Sequence, residues 1–280
     1  MLSSAGISTE QLAQDIKETR RLCSLPFGLN IQAGAAEFAM SRARAAIENG
    51  VKVVTLGRID PNIPVIGYLK ENHVVTMAVV GNAARARACE EQGVDIIIAS
   101  GSEAGGHVGR VATMPLVPAV VNAVKLPVVA AGGIADARGF VAALALGACG
   151  VQMGTRFYAT LEATASAGDK MKIVGASEDG TMVSAALTGL PCRLISEKVL
   201  DDWEQQKQAG ATAETLKSLS ADMQRRYWQK SDGAVVSAGQ ACGIISSVLS
   251  VAETIEGIIA GSMEICGGLY RLSGQAAARR

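Results

Sequence analysis

The chain carries two histidines, His73 and His107. His107 lies in the segment Gly101-Ser102-Glu103-Ala104-Gly105-Gly106-His107-Val108-Gly109. An imidazole titrates near neutral pH, so it can take a proton from a substrate carbon or return one. Gly105, Gly106 and Gly109 spare the ring local crowding and let a planar ligand come close. Glu103 is either a carboxylate that orients the ring through its N–H or a charge on the loop surface. His73 falls between a helix end and a strand start, on the opposite face of the expected fold, and reads as structural or solvent-exposed.

Two further segments put glycine where backbone must approach a ligand: Ala130-Ala131-Gly132-Gly133-Ile134-Ala135-Asp136 and Met153-Gly154-Thr155-Arg156-Phe157. Gly133 and Gly154 can present unobstructed N–H groups to a phosphate. Thr155 adds an N–H and a hydroxyl, and the N-terminus of a following helix adds a favourable dipole. Serving a tight turn would explain one such glycine; a pair at consecutive strand ends points to anion binding. Asn30 either offers its side-chain amide to the edge of a heterocycle or caps the next loop. Gly239-Gln240 either seats against a cofactor or forms a buried helix cap.

Other chemistries are excluded. Two histidines rule out HExxH and other His-rich metal sites, and the six cysteines show no CxxC spacing, so no metal site is expected. The cysteines read as reduced core thiols of a cytoplasmic protein. Lys plus Arg and Asp plus Glu are 26 each, which argues against nucleic-acid binding through a basic face. No apolar run reaches the ~18 residues of a membrane span, and the first residues lack the basic and apolar regions of a secretory signal. No glycine pair at i, i+2 occurs, so GxGxxG is absent, and neither GxxxxGK[ST] nor GxSxG is present.

The elements that must hold these residues alternate. Ser8 or Thr9 can cap a helix whose apolar residues recur at Leu12, Ile16 and Leu22. Strands are expected at 26–31, 51–56, 74–80, 94–99, 127–131 and 151–153, with helices at 37–49, 68–72, 82–92, 116–124 and 138–146 between them. Near-continuous apolar strands at such spacing read as parallel βαβ units. Residues 160–232 carry more charge and less strand signal, and read as a mostly helical inserted cap. Residues 1–159 and 233–280 would form the barrel, and the apolar helical stretch 237–260 would dock back on it. With the dinucleotide fingerprint missing, a TIM-type (β/α)8-like barrel is favoured over an open doubly wound sheet.

At its glycine segments the sequence resembles the nitronate monooxygenase family, which includes the flavin-type enoyl-ACP reductases II. The GxEAGGHxG segment is complete at Gly101–Gly109. AAGGIAD (130–136), MGTRF (153–157), SAGQ (237–240) and FGLNI (27–31) match as well. The resemblance implies an FMN-binding barrel and a small-molecule substrate. It implies that His107 is the catalytic base or proton donor and that Gly132, Gly133, Gly154 and Thr155 hold the FMN phosphate. Asn30, Gly105 and Gln240 would lie near the flavin. It also implies oxidation of alkyl nitronates with O2 or, alternatively, NAD(P)H-dependent reduction of enoyl thioesters or quinones. A third reading, of another class, is a non-catalytic nucleotide-binding remnant. Family members begin with one more strand-helix unit. This chain starts on what reads as the end of their second strand, so the barrel is expected to lack its first unit and to leave edges that favour a homodimer.

Overall fold

The computed structural model describes residues 1–32, 36–57, 64–231 and 233–277, with the side chains of 273–277 excepted. The chain opens β1 (Leu2–Ser3), α1 (Thr9–Leu22), β2 (Gly28–Ile31), α2 (Ala36–Glu48), β3 (Val53–Leu56), α3 (Val65–Glu71), β4 (Val75–Val80), α4 (Ala83–Glu91) and β5 (Ile96–Ser100). It continues with β6 (Gly106–His107), α5 (Thr113–Val121), β7 (Val128–Ala131), α6 (Ala137–Ala145), β8 (Gly150–Gln152) and the single turn α7 (Thr155–Tyr158). The last part holds α8 (Ala167–Val174), β9 (Thr181–Ser184), β10 (Cys192–Ile195), α9 (Lys198–Gln208) and α10 (Ala213–Trp228). A 3-10 turn (Gln240–Ile244) and α11 (Val251–Ala277) close the described chain.

Seven strands share one sheet in the order β1-β2-β3-β4-β5-β7-β8, the single-step order of a (β/α) barrel-type fold. Each pairing from β1 to β5 is parallel, in registers such as Leu29↔Val54 and Met77↔Ile96. The strands are mostly apolar because both faces are largely covered: Leu29, Ile31, Val54, Leu56, Ile97 and Ile98 have no exposed surface. The expected fold class and the strand and helix positions along 8–153 stand, with boundaries shifted by a few residues.

The chain divides into two compact units, residues 1–99 with 115–129 and residues 100–114 with 130–280. In the first, α1 starts where the Ser8 hydroxyl accepts the Gln11 N–H (3.1 Å), and it buries Leu12 and Ile16. That cap contributes about 1 kcal/mol. His73 ends α3 with φ 56°, its N–H donating to the Lys70 carbonyl (3.0 Å), so it serves as a turn residue.

In the second unit, α6 starts at Asp136, whose carboxylate accepts from the Arg138 and Gly139 N–H groups. α11 packs along α6 so closely that a Cβ on Gly261 would meet that of Ala137 at 2.8 Å. Residues 160–232 lie wholly in this unit. They contain helices, as expected, and also two strands that the sequence reading did not include: β9 and β10 pair antiparallel, and β10 pairs antiparallel with β6. The segment 101–109, read as a loop, thus contains the edge strand of a second, three-stranded sheet. Between that sheet and the helices α9 and α10, Leu187, Leu194, Leu200, Trp203 and Met223 form a small core. Among the described residues no helix is long and apolar enough to cross a membrane, and no group of His, Cys, Asp and Glu could hold a metal ion.

Candidate active site

The second unit brings together segments that lie far apart in sequence, through a continuous series of hydrogen bonds. The Gly239 N–H donates to Thr155 Oγ1 (2.9 Å). The next N–H, of Gln240, donates to the Glu103 carbonyl (2.9 Å). Both Glu103 carboxylate oxygens accept from the Thr113 N–H (2.9 Å each), and Oε2 also accepts from the Thr113 hydroxyl (2.9 Å). The same hydroxyl lies 3.0 Å from the Gly132 carbonyl. One path therefore joins the MGTRF, SAGQ, GxEAGGHxG and AAGGIAD segments. A carboxylate that accepts one N–H across both oxygens and an O–H of the same residue is held in one orientation.

Glu103 is neither a surface charge nor shown on the imidazole: its oxygens are committed to Thr113. Gln240 uses its backbone to grip the glycine loop, and Gly239 is the N-cap of the 3-10 turn. The Thr155 hydroxyl is an acceptor within the protein, and its own proton can still be donated. α7 is one turn long, so the helix dipole foreseen there is small.

The glycines do different work. A Cβ on Gly105 would come within 2.7–2.8 Å of the Ala238 and Gly239 backbone, so the space beside Gly105 is taken by the chain itself. Gly132 and Gly133 have φ of +101° and +72°, a region L side chains avoid, and Gly133 is exposed. Gly154 is exposed too, and a Cβ there would meet nothing within 4 Å. The corners after β7 and β8, neighbours in the sheet, therefore offer open backbone.

His107 is half-buried on β6. Its Nε2 lies 2.8 Å from Thr188 Oγ1, on the loop between β9 and β10. The neighbouring Arg193 anchors the start of the His107 segment: its Nε donates to the Ser102 carbonyl (2.9 Å) and Nη1 to Thr181 Oγ1 (3.0 Å). Burial pushes the Arg193 guanidinium below its ordinary value, against the charge of Glu103. Burial also pushes the Tyr158 hydroxyl up to about 12, so it stays protonated at any ordinary pH. Asn30 belongs to the first unit, in β2 opposite Ser3 and Thr55, and is not part of this network. Sequence reasoning missed Thr113, Thr188 and Arg193; none stands in a segment with a recognisable spacing.

The fold and its open strand-end corners define a (β/α) barrel-type protein. Residues 1–261 match the family Nitronate monooxygenase, and the chain belongs to that family. It is 38% identical over 221 residues to the (3aS,4S,5R,7aS)-5-hydroxy-7a-methyl-1-oxo-octahydro-1H-indene-4-carboxyl-CoA dehydrogenase of Mycobacterium tuberculosis, covering 78% of this chain and 62% of that protein. It is 42% identical over 165 residues to a probable nitronate monooxygenase of Staphylococcus saprophyticus, covering 55% of this chain and 46% of that one. The chain thus spans less than two thirds of the length of these relatives. Among solved structures, FabK from Thermotoga maritima superposes with a TM-score of 0.87 at 35% identity, covering 96% of this chain and 86% of that one. Nitroalkane oxidase from Streptomyces ansochromogenes gives 0.82 at 26% identity, covering 96% and 89%. By their names, the family and the two curated relatives are oxidoreductases.

Proposed function

We propose that this chain is an FMN-dependent oxidoreductase in which His107 moves a proton at the substrate carbon. The observation that carries the reading is the bonded path Thr155–Gly239–Gln240–Glu103–Thr113–Gly132, which ties three of the candidate cofactor residues, Thr155, Gln240 and Gly132, to the segment that carries His107. The donor set fits a phosphate: exposed backbone at Gly133 and Gly154, the Thr155 N–H and hydroxyl, and open space where a Cβ at Gly154 would stand. Gly132, Gly133, Gly154 and Thr155 would hold the FMN phosphate, with Gly105 and Gln240 toward the ring system. The role of Asn30 rests on the family likeness alone. FMN, when bound, supplies an acceptor for the electron pair that leaves the reduced partner. The chain itself supplies the rest: Thr188 steadies the imidazole, and the Glu103–Thr113 clamp fixes the loop that carries it.

The first reading of the substrate is an alkyl nitronate oxidised with O2, supported by the family and by the staphylococcal relative. A second reading is an acyl thioester with NAD(P)H as electron donor; the donor rests on the family likeness, and a separate observation favours the thioester. The match to the carboxyl-CoA dehydrogenase covers 78% of this chain, against 55% for the nitronate relative. Anaerobic absorption spectra of the FMN-loaded protein separate them. Bleaching of the flavin band by an alkyl nitronate alone supports the first reading, and bleaching by NADH alone supports the second. Bound FMN that responds to neither would defeat both, and a protein that takes up no FMN would leave the non-catalytic reading.

A further inference from the structure

The two halves of α11 meet different surroundings. The first half packs on α6: Thr254, Ile258 and Ser262 are buried, and Gly261 lies against Ala137. From Met263 to Leu272 no residue is buried, so the last turns stand out from the second unit. A solvated helix end ordinarily carries polar residues. This one carries Met263, Leu269 and Leu272, each between 57% and 73% exposed. Beside the first half lies an apolar groove of about 130 Å3. Phe140 of α6, Val151 and Met153 at β8, Phe157 of α7, and Ile255 and Ile259 of α11 line it. Ile255 and Ile259 are about half-exposed. Apolar surface gathered in this way marks an interaction site.

Groove and projecting end cannot meet within one copy, because Ile259 and Leu269 lie about 15 Å apart along a single helix. In two copies they can. Leu269 and Leu272 lie about 9 and 14 Å from Met263 along the axis in one direction, and Ile259 and Ile255 about 6 and 12 Å in the other. Two α11 helices packed antiparallel about a two-fold axis near Met263 therefore lay the Leu269–Leu272 turn of each over the Ile255–Ile259 turn of the other. The charges favour the same arrangement. Glu253 and Glu256 stand in the first half of α11 and Arg271 in its last turns. Antiparallel packing sets acid against base, and parallel packing would set like against like. Among the described residues neither Glu256 nor Arg271 is in an ion pair. We propose that α11 is a self-docking surface: a second copy of this chain seats the apolar end of its α11 in the groove, reciprocally, as an antiparallel two-fold helix pair. The inference depends neither on the cofactor nor on the role of His107.

The test is sedimentation equilibrium of the full chain over a range of concentrations. The wild-type mass is expected to approach twice 28.8 kDa as concentration rises. Leu269 and Leu272 are exposed, so replacing both by Glu spares the fold, which an unchanged circular dichroism spectrum checks. That double variant should weaken dimerisation at least about a hundredfold, and Ile259→Glu on the groove side should do the same. Glu256→Arg and Arg271→Glu each set like charges together at both ends of the pair and should weaken it about tenfold. An equimolar mixture of these two variants sets opposite charges together again and should dimerise more tightly than either alone. A wild-type chain that stays monomeric overturns the proposal. So does a dimer that the Leu269→Glu, Leu272→Glu variant leaves intact, because it would use another face. A mixture no tighter than its components overturns the antiparallel pairing, and the proposal with it.

Discussion

The glycines of the His107 segment and those of the strand-end corners show two opposite uses of a missing side chain. At Gly105 the space is filled by the Ala238–Gly239 backbone, and at Gly101 by Thr113. These glycines let one part of the protein press against another. At Gly154 the space is empty, and Gly133 meets only the Glu103 side chain, at 3.5 Å and beyond. These leave backbone within reach of something that is not the protein. A glycine-rich stretch is thus not one signal: the first kind builds the site and the second kind can receive a ligand.

The contrast is most sharply tested at Gly105. Gly105→Ala puts a Cβ into backbone that cannot swing aside, and is expected to cost about 3 kcal/mol, read as a lower urea midpoint at constant slope. A midpoint close to wild type would mean that the loop is not packed as described. Thr113→Val removes the hydroxyl whose one proton goes to Glu103 Oε2 or the Gly132 carbonyl, and leaves a part-buried carboxylate short of a donor. It is expected to destabilise by about 2 kcal/mol in the same assay.

Gly154→Ala should go the other way. Its φ of −92° suits alanine and nothing crowds the position, so the urea midpoint should hold. FMN affinity, read by quenching of flavin fluorescence, should fall about tenfold, or ~1.4 kcal/mol, if the methyl blocks the approach of the phosphate. An unchanged affinity would remove Gly154 from the proposed cofactor set.

Asp136→Ala, which touches neither kind of glycine, removes the α6 cap at a cost of about 1 kcal/mol near neutral pH. Burial raises the Asp136 carboxyl, but the Arg138 guanidinium and the Gly139 and Arg138 N–H groups outweigh it, so the group lies below its ordinary value. A carboxylate lowered on folding stabilises above its unfolded pKa, and that contribution is lost as pH falls through the folded value. The gap between variant and wild type should therefore close in acid. Because the side chain is 32% exposed, solvent screening keeps the charge part of the effect small.

The long elements were legible because their signals are local. Ser8 caps three residues ahead, and the apolar runs of β2 to β5 and β7 announce buried parallel strands without reference to anything distant. The site's framework was not legible, and the reason is distance along the chain. Thr113 meets Glu103 ten residues away and the Gly132 carbonyl nineteen away, and Thr188 meets His107 across 81 residues. β6 is two residues long and exists only because β10 pairs with it. β9 and β10, four residues each, sit among charged helices that mask them. The candidate site residues stand out by type and spacing; the threonines bonded to their segments carry no such mark.

The central claim is that open backbone at the strand-end corners receives the phosphate of FMN in the unit that carries His107. Titrating the protein in parallel with FMN and with riboflavin, which differ by that phosphate alone, tests it most directly. The account predicts saturable FMN binding at least about tenfold tighter than riboflavin binding, with inorganic phosphate narrowing the gap. Equal affinity for the two, or binding of neither, would contradict it.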